Sequence, residues 1–301
     1  MGMSMPMNGD PTTQSQPVFE SDQALATRAL NGELDALELL LERQQPWVFN
    51  LTFYMLHHRQ DAEDATQEIL VKIATGLSGF QGKSSLRTWI RRIAVNHVLD
   101  FRRSRPEQVV TGFGCYAEYL DHAGDAELDP SHGGPVERRY LVEEARISCT
   151  LGMLLCLDRG QRIVFLLGEI LETSDAIAAE LLDVTKENFR QRLARAREQL
   201  SSFMQGRCGL VNQQNSCRCA RKTAAFIKDK IVDPNRLQFA HGHLEALSTV
   251  LGERDVKLRG VLEKTREELR SLYPLYEAPA VVSKLRVLLS SKELQTGLNL
   301  V

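Results

Sequence analysis

The sequence predicts an all-α protein: two helical domains joined by an acidic linker, followed by a mainly helical C-terminal module. Three observations carry this expectation. Apolar residues recur at helical spacing from Ser21 to about Thr75, as at Leu34, Leu37 and Leu41, with few β-branched runs and no hairpin signal. A second helical block covers residues 137–204, with a helix-turn-helix spacing near its end. Between them, residues 106–136 collect Gly112, Gly114, Gly124, Gly133, Gly134, Pro130 and Pro135 among many acids, the composition of an extended, flexible linker.

The first domain is expected over 18–105. Its last helix runs from Ser84 or Ser85, as N-cap, to a stop before Pro106. Residues 1–17 lack a basic start and an apolar block, so they read as a disordered leader and not as a signal peptide. Residues 205–301 form a C-terminal extension that opens on a cysteine loop. Amphipathic segments such as Val256, Leu258, Leu262 and Leu269 follow, with breaks at Asp233-Pro234 and near Pro274 and Pro279.

Composition excludes several classes. At 301 residues with 43% hydrophobic and 25% charged side chains, the chain is long enough for more than one core. Its apolar stretches fall short of the roughly 20 residues of a membrane span, so no membrane insertion is expected and the protein is placed in the cytoplasm. Six cysteines in a cytosolic chain argue against a disulfide framework. The net charge of −2 hides segregation. Residues 81–105 hold seven Lys or Arg against Asp100 alone, while 106–145 hold nine acids against Arg138 and Arg139. Such segmentation allows one region to meet an anion while another meets a basic partner.

Three segments carry recognisable chemistry. In 61–68 a helix places Ala62, Ala65, Ile69 and Ile73 on one face and Asp61, Asp64 and Glu68 beside it. This is either a solvated face or an acidic docking surface. In the next helix Leu86, Ile90, Ile93, Ala94, His97 and Phe101 form the buried stripe. Trp89, Arg92, Asn96 and Arg103 line an adjacent exposed stripe, with Arg87, Arg91 and Arg102 flanking. A ring, an amide and guanidinium groups together suit melted DNA, which asks for stacking, base-edge hydrogen bonds and phosphate neutralisation. Trp89 taken alone reads first as a core residue, and His97 as a packed histidine.

The third segment, 174–192, has helix-turn-helix spacing, with small Ala179 at the crossing and Asp183 at the turn. Phe189, Leu193, Ala196 and Leu200 point inward, so Glu187, Asn188, Gln191 and Arg195 become candidate base readers. Lys186, Arg190, Arg192 and Arg197 become phosphate contacts. An ordinary basic surface helix is the plainer reading.

These residues resemble a known family. Asp61-Ala-Glu-Asp-x-x-Gln-Glu68, then Phe80, Ser85-Leu-Arg-Thr-Trp-Ile90, Ile93-Ala94, Asn96 and Asp100 before Arg102-Arg103 are similar to region 2 of extracytoplasmic-function (ECF) sigma factors of the sigma-70 family. Leu157-Asp-Arg-x-Gln-Arg162 and the helix-turn-helix ending in Arg192-Leu-Ala-Arg-Ala-Arg197 resemble region 4. The resemblance covers roughly residues 20–204. It implies a non-enzymatic subunit that binds core RNA polymerase at the β′ clamp helices and β flap, and directs promoter recognition and DNA melting. Asp61, Glu63, Asp64, Gln67 and Glu68 would dock on the clamp helices. Arg87, Trp89, Arg91, Arg92, Asn96 and Arg103 would meet the minus-ten element. Lys186, Glu187, Asn188, Arg190, Gln191, Arg192 and Arg195 would meet the minus-thirty-five element. The acidic linker, with Asp121, Asp125, Glu127 and Asp129, would thread a basic polymerase channel. An anti-sigma factor is a further candidate partner. Asp183 departs from the family's usual Gly, and Glu187 and Asn188 leave the promoter sequence undetermined. A stand-alone helix-turn-helix regulator is the alternative function.

Cys208, Cys217 and Cys219 lie outside the resemblance. Three thiols this close suit zinc if a fourth ligand arrives, for which His241 or His243 is available in sequence. A thiol redox switch and plain free cysteines are the other readings. The core function requires no cofactor, and no general base or activated nucleophile accompanies the loop.

Overall fold

In a computed structural model, the described residues are 20–238, 275–282 and 285. They form helices α1 (Asp22–Leu30), α2 (Leu34–Leu56), α3 (Arg59–Gly76), α4 (Leu86–Asp100), α5 (Arg105–Val109), α6 (Phe113–His122), α7 (Pro135–Leu155), α8 (Arg159–Phe165), α9 (Asp175–Leu181), α10 (Lys186–Arg207) and α11 (Cys219–Lys228). No strand occurs among the described residues; Cys208 and Cys217 pair as an isolated bridge. The expected all-α class is therefore observed. The leader 1–17, His241, His243 and the segment holding Val256, Leu258, Leu262 and Leu269 lie outside the described residues.

Local chemistry explains the helix starts. Ser21, His58, Ser85, Asp158, Ser174 and Thr185 each sit at an N-cap and accept a backbone N–H with the side chain. Such a cap satisfies one of the orphan donors of a first helical turn. α2 ends at His57, whose φ of 52° is left-handed, and the reversal lets α3 fold back against α2. α1, α2, α3 and α4 enclose a core that includes Leu40, Phe49, Tyr54, Ile69, Ile73, Ile90 and Val98. α8, α9 and α10 enclose a second, around Ile163, Phe165, Phe189 and Leu193. The two cores are continuous, because α8 and α9 pack on α4 and α8 also packs on α2.

The expected extended linker is corrected by the structure. Within 106–136 the chain forms most of α5 and all of α6, and Tyr116, Ala117, Leu120 and Ala123 are buried. The physical reason is visible in two patterns. Ser104 and Glu107 form a reciprocal capping box that starts α5. Phe113, Tyr116 and Leu120 recur at helical spacing, and the face they make packs on α7, α11 and Phe203. The acids are also used within the chain. Asp121 pairs with Arg207 and Asp125 with Lys222, whose Nζ also donates to the Leu120 carbonyl at 2.7 Å. The linker and the residues after the helix-turn-helix thus brace each other.

The turn between α8 and α9 is π-helical over Leu166–Ile170. Gly168 lets α10 approach it closely, since a Cβ there would stand 2.7 Å from Leu193 Cδ2.

Candidate nucleic-acid interface

On α3, Ala62, Ala65, Ile69 and Ile73 are fully buried, as the helical spacing predicts. The acids beside them divide. Asp61 is 6% exposed, its carboxylate held by Arg102 at 2.7 Å and His58 at 3.1 Å. Its expected place on an open docking face is corrected: Asp61 anchors the start of α3 to the chain after α4. Glu63 pairs with Arg59 at 3.0 Å, and Asp64 accepts from Gln60 Nε2 at 3.0 Å. Gln67 is half-buried and Glu68 exposed. The surface acids are therefore Glu63, Asp64 and Glu68.

α4 presents its cations less freely than its spacing implies. Trp89 is half-buried, tilted against Phe80 with ring centroids 5.5 Å apart and packed over Gly76. Arg91 lies over the Trp47 ring at 4.7 Å, and burial, then the charge of Arg87, pulls its pKa below the usual guanidinium value. Arg87 reaches Asp22 at 3.3 Å. Arg92 crosses to the helix-turn-helix, donating to Glu180 Oε1 at 3.0 Å and to the Glu180 carbonyl at 3.3 Å. Asn96 and Arg103 are exposed. His97 is the packed histidine expected: its Nδ1 lies 2.7 Å from Lys72 Nζ and its Nε2 3.3 Å from Glu68. Burial first, then the Lys72 charge, depresses its pKa, so the ring favours the neutral form.

The helix-turn-helix follows its sequence pattern at every position but Arg197. Ala179 is buried at the crossing, and Asp183 takes a φ of 52° at the turn. Its left-handed conformation supplies what the family's more usual Gly would supply. Phe189, Leu193, Ala196 and Leu200 are buried. Lys186, Glu187, Asn188, Arg190, Gln191, Arg192 and Arg195 are all exposed on α10. Arg190 is tied to Asp175 at 2.7 Å. Arg197, expected at phosphate, instead holds Glu169, a carboxylate 1% exposed, through its Nε at 2.9 Å. A buried carboxylate needs such a partner.

Sequence reasoning missed the polar cluster that joins the two halves. Glu107 accepts from Arg159 Nε at 2.9 Å and Nη2 at 2.7 Å, from Arg162 Nη1 at 2.9 Å, and from the Ser104 N–H at 3.0 Å. Arg162 also donates to the carbonyls of Met55, Leu154, Leu155 and Leu157, and Arg159 to those ending α4 at Val98, Leu99 and Phe101. Burial pushes the Glu107 carboxyl up, but the bonds from Arg159 and Ser104 and the two guanidinium charges outweigh it and hold the pKa below normal. The Ser-x-x-Glu capping signature was the one legible signal for Glu107. Nothing in the spacing announced its two arginine partners.

The cysteine loop is shaped by its own main chain. Arg218 donates to the carbonyls of Gln213, Asn215 and Cys217, and Asn215 Nδ2 donates to those of Gln205 and Cys208. Cys149 of α7 faces the same thiols. Its pKa lies well above normal, through burial and then the influence of Cys219, Cys208 and Cys217; that of Cys219 is pushed up to about 12, first by burial. Protonated thiols are the reverse of the lowered-pKa thiolates of redox sensors. Among the described residues no group of three or more His, Cys, Asp or Glu is arranged to hold a metal ion.

The sigma-70 region 2 family profile matches residues 40–106. RNA polymerase sigma-H factor of Pseudomonas aeruginosa is 30% identical over 192 residues, covering 62% of this chain and 95% of that protein. The ECF RNA polymerase sigma factor SigG of Mycobacterium tuberculosis is 34% identical over 189 residues, and the match spans 55% of this chain and 49% of SigG. The ECF RNA polymerase sigma-E factor of Haemophilus influenzae is 28% identical over 191 residues, covering 62% and 96%. Among solved structures, CnrH in complex with the cytosolic domain of CnrY matches with a TM-score of 0.43 and 22% identity, over 62% of this chain and 99% of that one. The chain belongs to the sigma-70 family, in its extracytoplasmic-function group, and is a sigma factor that directs transcription initiation.

Proposed function

We propose that this sigma factor binds core RNA polymerase through the surface acids of α3 and brings it to a promoter with α4 and α10. The observation that carries the reading is the sorting of α10: apart from Arg197, which holds Glu169, every side chain assigned to DNA is exposed and every one assigned to the core is buried. Gln191, Arg195, Glu187 and Asn188 read base edges of the minus-thirty-five element in the major groove, and Lys186, Arg190 and Arg192 hold phosphates. Asn96 and Arg103 meet the opened minus-ten strand, with the exposed part of Trp89 as a stacking surface. Unstacking costs a few kcal/mol that such contacts offset.

Catalysis belongs to the polymerase, and this chain supplies specificity without a cofactor. Its place is the cytoplasm, where that partner works; among the described residues no helix is long and apolar enough to cross a membrane. Arg92 reaches melted DNA only after leaving Glu180. The test is run-off transcription on genomic fragments by purified core polymerase with and without the chain. Discrete starts that depend on the chain are expected; unchanged transcription would refute the proposal.

A further inference from the structure

α2 carries two buried amides whose hydrogen bonds lead out of the bundle. Gln45 is 8% exposed and Asn50 3% exposed. Asn50 Oδ1 accepts the Tyr276 N–H at 2.7 Å, and its Nδ2 donates to the Tyr276 carbonyl at 3.0 Å. Gln45 Nε2 donates to the Pro279 carbonyl at 2.5 Å, and its Oε1 accepts the Val282 N–H at 3.1 Å. Each amide thus engages both a main-chain donor and a main-chain acceptor, the way a neighbouring strand recognises an extended peptide. Residues 275–279 adopt neither helix nor turn, Ala280 bends the chain, and Val281 and Val282 are helical.

Side chains complete the fit. The Tyr276 ring meets Phe53 edge-on at 4.6 Å and lies 5.6 Å from Tyr54. Val281, Val282 and Leu285 are buried. Aromatic pairs and apolar burial supply affinity, while the paired amides set the register. Glu144 of α7, 2% exposed, lies within electrostatic reach of the Tyr276 phenol, and α7 itself packs on α2. The segment therefore sits where α7 packs on α2.

We propose that the face of α2 from Gln45 to Tyr54 is a peptide-recognition groove whose occupant is this chain's own segment 275–282, docked as a strap that restrains the first bundle against α7. The occupant is named by the groove itself, since both amides are satisfied by main-chain atoms of that segment. The consequence for transcription rests on the function proposed above; the groove does not.

Two full-length variants test it, Tyr276→Ala on the strap and Asn50→Asp in the groove. Amide hydrogen exchange should show residues 275–282 protected in the unaltered chain and at least tenfold faster in both variants, with α10 unchanged. A labelled peptide of residues 273–286 should bind the Tyr276→Ala chain, whose groove is vacated, and not the unaltered one. Exchange equal in all three chains, with no peptide bound, would overturn the groove. Protection that disappears on dilution would assign the occupant to a second copy and overturn the strap. At limiting core polymerase, Tyr276→Ala should raise run-off transcription several-fold. Faster exchange without that rise would overturn the restraint. An unaltered chain inactive in the same assay would instead sink the proposed function, leaving the groove to the exchange data.

Discussion

Arg162→Met removes a guanidinium that is 4% exposed and joins both halves of the molecule. It leaves Glu107 with Arg159 as its one guanidinium partner beside the Ser104 N–H, and it withdraws the donors from the carbonyls of Met55, Leu154, Leu155 and Leu157. Breaking one partner of a buried ion pair costs about 3–5 kcal/mol, because the remaining charge stays desolvated. Exposed pairs are worth only about 0–1 kcal/mol. The expected loss is therefore about 3–5 kcal/mol, or a fall in Tm of roughly 6–20 °C for a cooperative unit of this size.

Thermal and urea melts of the full chain measure this loss, with Arg162→Lys as the variant that keeps charge without the planar fork. Its loss should lie between those of the unaltered chain and Arg162→Met. The pH dependence supplies a second check. The Glu107 pKa is depressed in the folded chain, so its contribution is present above the ordinary value of 4.5 and is lost as pH falls through the folded value. Arg162→Met should weaken that acid limb. A loss below about 1 kcal/mol would refute the reasoning, since it would put the cluster among surface pairs.

Other perturbations read other parts of the molecule. His57, with both ring nitrogens buried, has its pKa pushed down to about 3, first by burial and then by the Arg162 charge. The folded ring stays neutral, so its contribution is complete above pH 6.5 and falls on acidification toward 3, by at most about 1.4 kcal/mol per pH unit. His57→Asn, which tolerates the left-handed φ, should flatten this limb in pH-dependent urea melts; an unchanged slope would contradict the assignment. Asp64→Lys combined with Glu68→Lys should weaken capture by core polymerase at least tenfold in a pull-down without lowering the melting temperature, and normal capture would remove α3 as the docking face. Gln191→Ala and Arg195→Ala should relax upstream base preference by about 1–3 kcal/mol per contact in competition binding. Lys186→Ala should instead lower the salt slope by about 1, so a base-specific effect there would reverse its role.

Much of the helical layout was legible because helix faces are local. Periodicity placed Ala62, Ile69, Phe189 and Leu193 inside and Lys186 and Gln191 outside, since both outcomes depend on residues a few positions apart on one element. The turn at Asp183 was legible for the same reason, as few residues tolerate its left-handed φ. Residues 106–136 were not, because Gly, Pro and acids outnumber the short apolar patterns. Tyr116 and Leu120 become core residues only when α7 and α11 arrive to cover them.

The sequence alone was enough for the all-α class, the helix-turn-helix and the family, because all three are written in short-range spacing and motif residues. It could not say which charges remain free. Asp61, Arg92 and Arg197 carry the residue types of a binding surface, yet Arg102 lies 41 positions from Asp61 and Glu180 lies 88 from Arg92. A charge is solvated or neutralised according to what the fold brings within a few ångströms, and Coulomb interaction depends on separation in space. The Glu107 cluster and the strap on α2 are of the same kind: each takes partners from distant segments, so only folding could bring them together.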